Sequence, residues 1–212
     1  MARKQYGKQF GKIFAAIGLL IVTVIGLSYG SLLRGMDQAA AEYSRGDAEA
    51  ALKRYDSIDQ RLRSMGAIRL IPAKDRRNLF LNQARLLYAL GRYDEAQERM
   101  DREAEITGTT SNDSRFLLLK GEIGFRKAFK NDRLSLQKDT RIIEEALRAS
   151  EDTLRDSLRL SPNDWDAKYN FEYVSYIRSL MNQDDAGKVK ILMEDVRVKE
   201  MPPQALPAEQ QQ

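Results

Sequence analysis

The sequence predicts an all-α protein, with an N-terminal transmembrane helix followed by a domain of stacked helix pairs. Three observations carry that expectation. Residues 13 to 33, IFAAIGLLIVTVIGLSYGSLL, hold no charge. Two later stretches share one spacing of alanine, glycine and a large apolar residue. Around and after them, apolar residues return at helical intervals.

The uncharged run is 21 residues long. At about 1.5 Å per residue it matches the ~30 Å hydrocarbon core of a bilayer. Soluble helices are seldom apolar on every side for so long. Small residues at Ser28-Tyr29-Gly30 and Ala39-Ala40-Ala41 resemble cleavage sites. The first leaves an apolar region at the long limit for a signal peptide, and the second lies beyond Arg34 and Asp37. A retained anchor is therefore expected. Arg3, Lys4, Lys8 and Lys12 precede the run with no acid among them. The positive-inside rule then places the basic tip, 1–12, in the cytoplasm and residues 34–212 across the membrane, in a bacterium the periplasm. The expected location is the bacterial inner membrane, with a single pass. Gly26 and Gly30 form a GxxxG spacing, read mainly as the ordinary glycine content of a membrane helix.

Without those four basic residues the chain is balanced, with 31 basic against 31 acidic residues. The body is thus neutral, which argues against a nucleic-acid-binding surface. There is no Cys and no His. Disulfides, thiolate chemistry and the commonest general base and transition-metal ligand are excluded. No cofactor is expected. The adjacent acids Glu144-Glu145, Glu151-Asp152 and Asp184-Asp185 point about 100° apart on a helix, so each pair is read as a solvated face. No catalytic set emerges, and the expectation is a protein that is not an enzyme.

In the folded part, 34–182, Gly46 aligns with Gly91, Ala39 with Ala84, Ala51 with Ala96, and Tyr55 with Met100. Each stretch predicts a helix ending near the Gly, a short turn, and a second helix whose Ala packs closely against the first. Leu79, Leu86, Leu87 and Leu90 form one helical stripe. Gly66 and Pro72 suggest that 66–77 is a loop. A looser helix is expected within 114–129, ended by Lys130-Asn131-Asp132. A long helix follows over roughly 139–160, with Ile142, Ile143, Ala146, Leu147, Leu154 and Leu158 as its apolar positions. Pro162 stops that helix, and Asn163 or Asp164 caps the next, which carries Trp165 and Tyr169 one turn apart. The tail 183–212 is a C-terminal extension, expected to be disordered from about 200 because it is rich in Pro and Gln.

The repeated spacing, with LLYALGRYDEA its most specific part, resembles the tetratricopeptide repeat (TPR), a helix-turn-helix unit of about 34 residues. The resemblance implies an α-solenoid whose first helices line a groove for a peptide or partner helix. The groove candidates are Asn78, Arg85, Tyr88, Arg126, Lys168, Asn170 and Tyr173. Arg and Tyr are frequent hot spots, and Asn can bond both groups of an extended backbone. SPNDWDAKYNFEYV further resembles a segment of membrane-anchored TPR proteins encoded beside MoxR-type AAA+ ATPases and von Willebrand A domain proteins. The MxaK and BatC-like proteins are examples. The matching residues are Pro162, Asp164, Asp166, Ala167, Tyr169, Asn170, Phe171 and Glu172; Phe171 departs from the usual Leu. That resemblance implies a scaffold for assembling or activating an envelope or metalloenzyme complex, with a von Willebrand A domain protein as partner. The alternative is a chaperone-like protein that holds secreted clients near the translocon.

Overall fold

The computed structural model describes residues 3–107, 113–134 and 140–182. Among these residues the protein is all-helical. Its elements are α1 (Arg3–Ser44), α2 (Ala48–Ser64), a 3-10 turn (Ala67–Arg69), α3 (Ala73–Ala89), α4 (Tyr93–Thr107), α5 (Ser114–Leu134), α6 (Thr140–Leu160) and α7 (Trp165–Asn182). The expected C-terminal extension, 183–212, lies outside the described residues, as does Asp184-Asp185.

The apolar run does not end in a break. α1 continues through Arg34 to Ser44 as one helix of 42 residues. Its stretch from Ala16 is long and apolar enough to cross a membrane. Its last third is a core element of the folded part: Leu32, Met36 and Ala39 are buried. Gly35 permits the approach of α2, since a Cβ there would lie 3.0 Å from Ile58 Cδ1.

The two aligned units have the same local geometry. Gly46 (φ 88°) and Gly91 (φ 72°) adopt left-handed backbone, which costs a side-chain-bearing residue and suits Gly. At the first, Asp47 N–H donates to Glu42 C=O and Gly46 N–H to Tyr43 C=O. At the second, Arg92 N–H donates to Leu87 C=O and Gly91 N–H to Tyr88 C=O. Both pairs of bonds close a Schellman motif, so the helix ends satisfy their own carbonyls. Ala39, Ala84, Ala51 and Ala96 are fully buried, and Tyr55 and Met100 fill the space beside them. Burying each large side chain contributes about 1.5–3 kcal/mol.

Each helix packs on its chain neighbour, from α1 on α2 through α6 on α7. Direct contacts between alternate helices run from α3 to α5 and from α5 to α7. α5 joins two cores. Phe116, Leu119 and Ile123 belong to the core of α1–α4, whereas Leu118, Phe125 and Phe129 belong to that of α6 and α7. The α5–α6 approach is close at Gly121, where a Cβ would fall 2.6 Å from Leu154 Cγ, and Ser150 Oγ donates to Gly121 C=O at 2.6 Å.

Four expectations need correction. The loop after Gly66 is shorter than 66–77, because α3 starts at Ala73 behind Pro72, a residue that cannot donate a backbone bond and suits a helix start. Lys130-Asn131-Asp132 does not break α5, which runs on to Leu134; three polar residues weaken a helix without removing its backbone bonds. Ile142 is 65% exposed, while Ile143, Leu147 and Leu154 are buried. Glu151 is not solvated: it is buried and ion-paired, with Arg178 Nε 2.7 Å from Oε2 and Arg155 Nη2 2.9 Å from Oε1. A residue facing α7 meets a cation there, which offsets the cost of burying its charge. Glu144 and Glu145 are exposed as expected.

A candidate partner-binding face across three helices

Alternate helices place polar side chains along one seam. On α3, Asn78, Arg85 and Tyr88 follow at seven and three residues, close to one face of a helix. On α5, Arg115, Glu122 and Arg126 follow at seven and four. On α7, Asp166, Asn170 and Tyr173 follow at four and three. Where α3 touches α5 and α5 touches α7, these rows meet.

The contacts are specific. Arg115 Nη2 donates to Asn78 Oδ1 at the long distance of 3.5 Å, and Asn78 is buried. Arg115 is held from its other side by Asp113, whose Oδ2 accepts from Nη2 at 2.8 Å. Arg126 Nε donates to the Tyr88 hydroxyl at 3.3 Å. Asn170 Nδ2 donates to Glu122 Oε1 at 2.7 Å, joining α7 to α5. Tyr173 packs its ring edge-on to Phe125, with centroids 5.6 Å apart, and stacks with Tyr169 at 6.3 Å. Arg85 lies at the centre, within electrostatic reach of Arg115, Glu122, Asp113 and Asp164. It forms no hydrogen bond or ion pair among the described residues.

Burial sets the electrostatics of the seam. It pushes the Glu122 carboxyl up to about 7, against the pull of Arg85, with Asp166 adding to the rise. It pushes the Tyr88 phenol up to about 12, again with Glu122 contributing. Burial, followed by the neighbouring Arg115, lowers the pKa of Arg85. Burial works to raise Asp113, but the hydrogen bonds and charge of Arg115 outweigh it and hold its carboxyl below the usual range.

Six of the seven candidates from the sequence therefore lie on one seam: Asn78, Arg85, Tyr88, Arg126, Asn170 and Tyr173. Lys168 stands apart, its Nζ 5.0 Å over the ring of Trp165. Asp113, Arg115 and Glu122 belong to the seam and escaped the sequence reading. The signal was present for two of them, because Arg115 and Glu122 precede Arg126 by eleven and four residues, on one helix face. The cap of α7 is Asp164, whose Oδ1 accepts from the N–H groups of Asp166 and Ala167, each at 3.1 Å. Beyond the seam, Trp165 and Tyr169 are exposed, at 78% and 57%.

Chemically, the face offers guanidinium, phenol and amide donors among the carboxyls of Asp113, Glu122 and Asp166. That set suits the carbonyls and carboxylates of a polypeptide. No family model, curated protein or solved structure matches the chain.

Proposed function

We propose that the protein is a non-enzymatic, membrane-tethered scaffold that binds a protein partner on the α3–α5–α7 face. One observation carries this reading. Arg85 is a half-buried guanidinium on α3, within electrostatic reach of α5 and of the α7 cap, and it has no hydrogen bond or ion pair among the described residues. An arginine so placed contributes little to the fold and is ready to bind a carbonyl or carboxylate of an incoming chain. The helix pairs then act as a TPR-like solenoid. α1 confines this face to a membrane surface, which raises its effective concentration near membrane-bound partners.

In this reading the anchor crosses a bacterial inner membrane and the folded part lies in the periplasm, as the basic tip implies. The partner is a von Willebrand A domain protein of a MoxR-type cluster, and the outcome is assembly or activation of an envelope or metalloenzyme complex. The exposed Trp165 and Tyr169 favour a second reading, in which the protein holds unfolded secreted clients through apolar contacts.

Crosslinking and pull-down of the intact protein from membranes separates the two. The scaffold reading expects one or two stoichiometric partners, one with a von Willebrand A domain, whose capture falls roughly 30-fold in Arg85→Ala, the effect of losing a ~2 kcal/mol hot spot. A broad spread of secreted clients, unchanged in Arg85→Ala and reduced in Trp165→Ala, sinks it and supports the second reading.

A further inference from the structure

The folded part overlaps the apolar run along the axis of α1. An apolar cleft of about 600 Å³ lies between them, lined by Val24 and Ile25 of α1, Ile58 and Leu62 of α2, and Leu70 and Ile71 of the following loop. Val24 precedes Arg34 by ten residues, about 15 Å along the helix. The loop therefore reaches well below the end of the uncharged run.

That overlap creates a conflict of lengths. If the bilayer stopped short of the loop, α1 would have only Ile13 to about Ser28 for the crossing, roughly 24 Å against the ~30 Å hydrocarbon core. If the bilayer extends to Leu33, the loop lies inside it. The composition of the loop favours the second. Met65 and Leu70 are large, apolar and exposed at 63% and 83%. Both line the cleft, so they form a contiguous exposed apolar patch, the kind of surface that marks a contact site. Arg61 lines the cleft and Arg69 sits beside Leu70, where long cationic side chains can lift their heads toward phosphates. Asp75, the nearest acid, accepts a hydrogen bond from Tyr29 Oη at 2.5 Å, which holds its carboxylate beside a residue suited to the polar boundary.

We infer that the segment Met65–Pro72 is a second membrane contact. It dips into the leaflet on the side of the folded part, with lipid acyl chains filling the cleft against α1 and Arg61 and Arg69 meeting the phosphates. The bilayer is the occupant because the cleft is continuous with the lipid-facing surface of α1 at Val24 and Ile25. The inference rests on α1 crossing the membrane. It deepens the scaffold reading by fixing the tilt of the α3–α5–α7 face, since two contacts orient a body that one helix leaves free to swivel.

The chain has no cysteine, so single labels can be placed at will. Leu20→Cys, Leu70→Cys and Asp101→Cys in the full-length protein are spin-labelled and reconstituted in phosphatidylethanolamine–phosphatidylglycerol vesicles. Collision with oxygen and with a water-soluble nickel chelate is then measured. The expected result is loss of nickel access with retained oxygen access at positions 20 and 70, and full nickel access at position 101. Lipid exposure at 20 with nickel access at 70 equal to that at 101 overturns the second contact and leaves the anchor intact. Nickel access at 20 overturns the anchor as well. A label at 70 shielded from both reagents means that protein covers the loop, a second copy if the spectrum is dipolar-broadened, and also overturns the inference.

Discussion

Single positions in this protein are constrained by backbone geometry and by charge burial. Gly91 holds φ 72° with open space around its Cα, so a substituent is opposed by backbone strain and not by a clash. Gly91→Ala is expected to cost about 1 kcal/mol, read as a lower urea midpoint at unchanged slope. Glu122 makes a different prediction. Its folded pKa, about 7, lies above the unfolded 4.5, so the folded state holds the proton more tightly. Stability from this group is full below pH 4.5 and is lost as pH rises toward 7, by up to about 1.4 kcal/mol per pH unit. Glu122→Gln keeps an acceptor for Asn170 and cannot ionise. Urea melts across pH 5–8 should show a falling stability in the wild type and a flatter profile in the variant. A wild-type profile that rises over this window would refute the burial of that carboxyl.

The elements are held by close approaches more than by propensity. α5 is the clearest case, because it serves two cores and touches α6 through Gly121. A methyl group there meets Leu154 at 2.6 Å. Gly121→Ala should destabilise by about 1–3 kcal/mol although alanine is the better helix former, as thermal unfolding would record. In a double-mutant cycle, Gly121→Ala should cost less in a Leu154→Ala background than in the wild type, which a purely local backbone effect would not allow. α6 and α7 are further tied by Glu151 between Arg155 and Arg178.

At the scale of the whole molecule, the described residues form one long N-terminal helix whose last third packs against the helices that follow. A cut at Arg34 therefore removes part of the fold and not only an anchor. A chain starting at Arg34 loses the burial of Leu32 and the Tyr29–Asp75 hydrogen bond, which a chain starting at Ser28 keeps. The shorter chain should be less stable by about 2–3 kcal/mol in urea unfolding. Equal midpoints would mean that the α1 turns between Ser28 and Arg34 contribute nothing to the fold.

The all-helical class, the apolar N-terminal helix, the two glycine turns and the alanine contacts were legible in the sequence. They are local: a 21-residue uncharged run, a left-handed glycine and a 3.6-residue stripe each act within a few turns of chain. The candidate face was partly legible, since helical spacing marks which side chains share a side of α3 or α7. The tertiary structure alone decided the rest. Only stacking could place Glu122 under Asn170, leave Arg85 without a bond among the described residues, turn Glu151 from surface to core, and carry Lys168 away to Trp165. The sequence also could not tell that the loop after Gly66 descends beside α1. The physical reason is common to all of these. Burial, pairing and depth depend on which distant segments meet, and a spacing rule reads only one segment at a time.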